Sequence, residues 1–522
     1  MKGLFLLIIT ILWVLISATA PLHIATAQSN SARELVGLWE AKRRFGPDVR
    51  GTLLIMQTGG DWQAEIAGQR APVKRDGDSL SFELTDGKGK FQGKFDTRRT
   101  KIVGHWDQPE NYASPVTLTK DERNMWHGDV SPLPITMTCY LMIRLRDDGS
   151  VGAFLKNPER NLGIQIRIDH VEREGDVVRL IAANARDQKG RVLAEGRYYA
   201  DGEILSIYFP TRGMTFDFSR VGANEASDFY PRGRPSVPYH YEPPLAFADG
   251  WQTASLQDVG ISRDGIQKLI QMIIDTPIDS VSSPEIHGVL IARHGKLVLE
   301  EYFHGEYRDK PHDTRSAAKS LTATLVGAAI KAGAPLKESS PVYQVMNGGT
   351  FPPDLEPRKK ALKVENLLTQ SSGLDCDDSD PNSPGREDYV TDDGPEPDYY
   401  KYTLALKMIR NPGEKAVYCS IQPHLLGGVL QKAAKQSLPV LFQNLLAGPL
   451  NIERYYMPLT PTGDAYMGGG VRLRLRDFMK LGQLHLNGGV WNGRRILTPE
   501  WSRPPRRLYM RLASRNMAIS GG

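Results

Sequence analysis

Thr314-Arg315-Ser316-Ala317-Ala318-Lys319-Ser320-Leu321-Thr322 opens a run from Ser316 to Ile330 that is rich in Leu, Ala and Val and stops near Gly333. A helix that is apolar on most of its faces is a buried helix. Ser316 and Lys319 stand three positions apart at its start, so both side chains share one face and the amine can reach the hydroxyl. A serine hydroxyl is a poor nucleophile until a neighbouring base takes its proton. Burial disfavours the charged form of a lysine and can turn its amine into that base. The helix N-terminus adds a positive field for a developing oxyanion. A chain of this length holds about two Ser-x-x-Lys strings by chance, and this one holds a single copy. The string takes its meaning from its surroundings.

On its N-terminal side, Ser262 is placed to cap a helix carrying Ile266, Leu269, Ile270 and Ile273 at helical spacing. Gly288 to Ala292 and Leu297 to Phe303 then flank Arg293-His294-Gly295-Lys296, which reads as a hairpin by its turn chemistry. On its C-terminal side come Val364-Glu365-Asn366-Leu367-Leu368-Thr369-Gln370-Ser371-Ser372-Gly373-Leu374 and Asn411-Pro412-Gly413-Glu414-Lys415-Ala416-Val417-Tyr418-Cys419-Ser420. Gly468-Gly469-Gly470 to Asp477, Gly482-Gln483-Leu484 and Asn487-Gly488-Gly489-Val490-Trp491-Asn492-Gly493 complete the series.

The order of these segments, from the hairpin through Ser316 and Lys319 to Tyr418, resembles the serine β-lactamase-related family. That family includes class C β-lactamases, penicillin-binding DD-peptidases, family VIII esterases and amide hydrolases. The resemblance covers roughly residues 250 to 500. It implies an α+β domain, helices around an antiparallel sheet, that cleaves an ester or amide bond through an acyl-enzyme. In that scheme Ser316 is the nucleophile and Lys319 its partner in proton transfer. Tyr418 exchanges a proton with nucleophile and leaving group. A phenol of ordinary pKa ~10 needs a nearby cation to act as a base at neutral pH, and Lys319 could supply it. Relatives often carry Asn two residues beyond the Tyr; here Ser420 stands there, a hydroxyl still able to bond substrate. Cys376 and Cys419 each fall within a motif segment, so the resemblance also suggests a disulfide between them that clamps the Tyr418 loop and leaves Cys139 outside the pair.

The implied partner is a small ester, amide or peptide, with no cofactor. Around and after Cys376 runs an acidic stretch with Asp375, Asp377, Asp378, Asp380, Glu387, Asp388, Asp392 and Asp393, whose spacing matches no metal-binding loop and reads as solvated. Relatives also carry a Lys-Thr-Gly or His-x-Gly strand after the Tyr segment. Neither tripeptide follows Tyr418, and residues 502–522 form an atypical Arg-rich tail with Arg503, Arg506, Arg507, Arg511 and Arg515. The expectation is therefore a C-terminally truncated hydrolase domain over 246–501, with an incomplete sheet and activity reduced or lost.

The other half of the chain is different. From about residue 33 to 222 period-two alternation is punctuated by Gly-Asp turns, which argues antiparallel hairpins. The pattern repeats once. Gly37-Leu38-Trp39 is answered by Met125-Trp126-His127-Gly128, and Asp76-Gly77-Asp78 by Glu174-Gly175-Asp176. Phe91 to Phe95 is answered by Ala194 to Tyr198, and Val116-Thr117-Leu118 by Phe216-Asp217-Phe218. Two all-β modules, small barrels or sandwiches, are expected over 28–122 and 123–222. A Pro-rich linker follows over 223–245, with Pro231, Pro235, Pro238, Pro243 and Pro244.

Lys2, the apolar run Leu4 to Ile16 and Ala25-Thr26-Ala27 read as a signal peptide over 1–27, which predicts export to the periplasm or medium. Membrane attachment would come only through an uncleaved signal. With 65 basic against 60 acidic residues the surface is balanced and carries no footprint for nucleic acid. A second reading stays open: a non-catalytic exported protein in which the β-modules bind a ligand or contact the cell wall beside a degenerate hydrolase domain.

Overall fold

The computed structural model describes residues 31–158, 166–183, 190–222, 225 and 227–503. The leader and nearly all of the Arg-rich tail lie outside the described residues.

Residues 51–130 form one antiparallel sheet. Its path starts at Gln69–Pro72, runs through Asp61–Ile66, Gly51–Thr58, Trp126–Val130, Tyr112–Lys120, Lys101–Gln108, Lys90–Phe95 and Ser79–Glu83, and ends at Lys74–Asp76. The two end strands are separated in the chain by Val73 alone, so the sheet curls until its edges nearly meet. Alternation drives the curl: Leu80 and Phe82 point inward, their neighbours outward. The interior is filled by Leu53, Ile55, Phe91, Trp106 and Leu118.

The second sheet repeats this path. It runs from Ile166–Ile168 through Val151–Lys156 and Ile135–Leu145 to Gly37–Gly46, then Met214–Arg220, Ile204–Phe209, Arg191–Tyr199, Val177–Ala182 and His170–Glu174. Here the place that Trp126–Val130 takes in the first sheet is taken by Gly37–Gly46, from the far end of the chain. Trp39 and Trp126 are accordingly core residues of different barrels. The sheets therefore divide the chain differently from a cut at 122/123. The early strand completes the later barrel, and 126–130 completes the earlier one. Sequence similarity between the two Trp strands reports equivalent positions but not this exchange, because strand pairing is non-local.

The C-terminal domain is built of helices around a small sheet. Gly288–Arg293 and Lys296–Tyr302 form the hairpin, and Gln252–Thr253 adds a parallel edge. His294 and Gly295, at φ 53° and 75°, make the left-handed turn that a two-residue hairpin requires. Helix Arg263–Ile274 is capped by Ser262 Oγ, which accepts from Gly265 N, and buries Ile266, Ile270 and Ile273 against Val298 and Leu299. The linker packs on this layer: Tyr241 is buried and its hydroxyl donates to Val298 O at 2.9 Å. A larger core gathers Leu321, Leu325 and Val326 of helix Ala318–Lys331 with Ile421, Leu425 and Val429 of helix Ile421–Ala434.

Barrel and helical domain are stitched together. Strand Tyr455–Pro458 pairs on one side with Arg472–Leu473 and on the other with Tyr112–Lys120, Met457 opposite Ala113. In the second barrel, Lys156 is fully buried and reaches Ser283 O at 2.8 Å and Glu285 Oε1 at 3.2 Å. Among the described residues no helix is long and apolar enough to cross a membrane.

Candidate active site

Ser316 lies on a single 3-10 turn, Arg315–Ala317, that runs into helix Ala318–Lys331. The turn is held from behind. Thr314 donates its N–H and its hydroxyl to Val471 O, Arg315 N–H goes to Asp313 Oδ1, and Gly470 N–H goes to Arg315 O. Arg315 takes the left-handed region, φ 45°. A non-glycine residue there is sparse and costs energy, so the surrounding bonds must impose it. The result is an exposed Ser316 at the head of a buried helix.

Lys319, one turn later, is half-buried. Its Nζ lies 3.1 Å from Ser316 Oγ, 2.9 Å from Ser420 Oγ and 2.6 Å from Gly468 O. It also sits 4.9 Å from the centroid of the Tyr418 ring. The structure thus brings Ser316, Lys319, Tyr418 and Ser420 into one cluster around a single amine. Ser420 is buried immediately before helix Ile421–Ala434.

Two further groups complete the cluster. One is the carbonyl of Gly468, in the Gly468-Gly469-Gly470 run. The other is Asp378, which the acidic composition of its loop suggested would be solvated. Asp378 is instead turned inward. Its Oδ2 accepts from the N–H and the hydroxyl of Ser420 at 2.8 and 2.7 Å, and its Oδ1 accepts from Glu387 N–H at 3.0 Å. Burial nevertheless pushes its pKa above the usual carboxylate value, outweighing the bonds that lower it. Its neighbours Asp377 and Asp380 behave as loop acids, each accepting from a backbone N–H two residues on.

Cys376 and Cys419 are joined as a disulfide, Cα to Cα 5.8 Å, while Cys139 is buried in the second barrel. Asp378 stands two residues after one half-cystine and Ser420 one residue after the other. Asp378 N–H also donates to Tyr418 O at 3.0 Å. The signal for Asp378 was therefore in the sequence, but it becomes readable only once the two cysteines are connected.

A cavity of about 550 Å3 lies elsewhere, between the barrels and the helical domain, lined by Arg50, Asp129, Glu306, Lys310 and Arg472 among others. Its lining reaches Asp313 and does not include Ser316. What marks the Ser316 region is convergent side-chain geometry, not cavity size.

Residues 281–504 match the model of the Beta-lactamase family. The 6-aminohexanoate-dimer hydrolase of Paenarthrobacter ureafaciens is 26% identical over 220 residues, 41% of this chain and 55% of that protein. Among solved structures, a Bacillus anthracis protein assigned as a 6-aminohexanoate-dimer hydrolase is 19% identical, covering 41% of this chain and 58% of its own, with a TM-score of 0.36. A penicillin-binding protein homolog from Caulobacter crescentus is 14% identical, covering 41% of this chain and 67% of its own, with a TM-score of 0.33. The chain spans about half the length of the curated relative it matches. With its helices, its hairpin sheet and this matched span, the C-terminal part of the chain is a domain of the Beta-lactamase family.

Proposed function

We propose that the C-terminal domain is a serine hydrolase that cleaves a small ester or amide through an acyl-enzyme on Ser316. The observation that carries this reading is the 3.1 Å contact between Lys319 Nζ and an exposed Ser316 Oγ at a helix start. In the forward step Ser316 Oγ attacks the substrate carbonyl carbon and its proton passes to the neutral amine of Lys319. The carbonyl oxygen becomes an oxyanion beside the N-terminus of helix Ala318–Lys331, where the helix field favours negative charge. The leaving alcohol or amine takes a proton through Tyr418, and water later releases the acid from Ser316.

Export to the periplasm or medium belongs to the same proposal, on the leader read in residues 1–27. The second reading, carried by the two barrels beside the hydrolase domain, is a non-catalytic exported or cell-wall-associated binding protein.

Intact-protein mass after a fluorophosphonate probe tests the proposal. The expected result is a single adduct on Ser316 that Ser316→Ala abolishes. A folded wild-type chain without an adduct, or persistent labelling of the variant, overturns it and leaves the binding reading.

A further inference from the structure

We infer that Asp378 is a positioning residue that aims the lone pair of Lys319 at Ser316, an inference that rests on the hydrolase reading of that serine. As an ammonium Lys319 donates to all three of its neighbours, Ser316 Oγ, Ser420 Oγ and Gly468 O; as the neutral base that the hydrolase reading requires, it keeps two N–H groups and one lone pair, so only one neighbour can donate to it. Gly468 O is a carbonyl and can only accept. Ser420 Oγ could in principle do either, but its single proton is directed to Asp378 Oδ2 at 2.7 Å. That leaves its lone pairs for Lys319. Of the three atoms bonded to Lys319, Ser316 Oγ alone then has a proton to give.

Without the carboxylate, Ser420 would be free to turn its proton onto the amine and quench the base. Asp378 also supplies the negative charge that, across Ser420, balances the ammonium formed when Lys319 takes the proton. The disulfide, the Asp378 N–H to Tyr418 O bond and the two bonds from Ser420 hold residues 376–378 against 418–420 from four points. The rotor is thereby fixed. The other titratable groups that face Asp378 are Glu387, whose N–H it accepts, and Tyr466, whose hydroxyl donates to Glu387 Oε1 at 2.6 Å.

The test compares full-length wild type, Asp378→Asn and Ser420→Ala, each checked for an intact disulfide by mass. Two readouts are taken: the fluorophosphonate labelling rate of Ser316 against pH, and the acetylation of Lys319 by acetic anhydride against pH. Each variant should label about tenfold or more slowly, at unchanged probe saturation. The acid limb of the Asp378→Asn labelling profile and its Lys319 acetylation curve should both move to lower pH. Ser420→Ala breaks the same link without touching the carboxylate, so it decides the matter if Asp378→Asn misfolds. Wild-type rates and an unmoved Lys319 curve in a folded variant overturn the inference. A wild type that never labels overturns the hydrolase reading instead, and the acetylation curves still judge the link between Asp378 and Lys319.

Discussion

The indole Nε1 of Trp501 donates to the carbonyl of Ala323 across 3.2 Å, with its ring laid over Gly327. A Cβ on Gly327 would fall on the indole itself. The segment 499–502 is thus docked on the helix that begins at Lys319's end of the site. Trp501→Ala should lower stability by about 2–3 kcal/mol, less than a fully buried aromatic because Trp501 is only half-buried. Gly327→Ala should cost about 1–3 kcal/mol by overpacking. Urea unfolding of the two variants checks both figures; a neutral Gly327→Ala would mean that Trp501 does not rest there in solution.

Lys156 has no exposure, and its partners Ser283 O and Glu285 belong to the other domain. Replacing it with Met leaves a buried carboxylate without a cation, at a cost of about 3 kcal/mol near neutral pH. Burial already raises the pKa of Glu285, so protonation should relieve part of that cost. The deficit of Lys156→Met should therefore shrink between pH 7 and pH 5, and vanish largely in Lys156→Met/Glu285→Gln. A deficit that grows on acidification would contradict this.

Gly468 supplies the shortest of the three contacts to Lys319. A Cβ there would meet Ser420 O at 2.6 Å and crowd the Tyr466 hydroxyl. Gly468→Ala should displace the carbonyl that fixes the amine and slow Ser316 labelling about tenfold or more. Gly482→Ala, where a Cβ meets nothing, is the matched control and should label at the wild-type rate.

Three buried histidines should make the C-terminal domain less stable in acid. Burial lowers His424 to about 3 and both His287 and His304 to about 4. Their ordinary pKa is about 6.5. Below that value the unfolded chain takes up protons that the folded chain refuses, so unfolding is favoured by acid. Stability from these groups is fully present above pH 6.5 and is lost as the pH falls toward 4. His287, whose two ring nitrogens have no hydrogen-bond partner among the described residues, is the clearest probe. His287→Met should take up one fewer proton on unfolding at pH 5, read from the slope of the urea midpoint against pH; an unchanged slope would mean that His287 is already charged in the folded state.

What the sequence made legible was local. Ser316 and Lys319 fall together because three residues span one helical turn, and His294-Gly295 dictates its own hairpin. The β repeat was visible because each barrel needs a Trp at the same place, Trp39 and Trp126. Which barrel each Trp enters was not, since the exchange depends on pairings such as Trp39 with Leu141, about a hundred residues away. Asp378 was hidden for a related reason. Composition places it among seven other acids, and only a contact 42 positions along the chain, to Ser420, separates it from them. Gly468 contributes a carbonyl, a group every residue owns, so no residue type could announce it.

Strand Tyr455–Pro458 has one edge bonded to the barrel and the other to the strand that follows the Gly468 run. Expression of the hydrolase half by itself would strip one side of that ribbon bare. An open backbone edge of this kind recruits whatever strand it meets, including its own copy. Truncation at the linker should therefore yield oligomers or inclusion bodies, and any attempt to isolate the C-terminal unit has to carry residues 51–130 along with it.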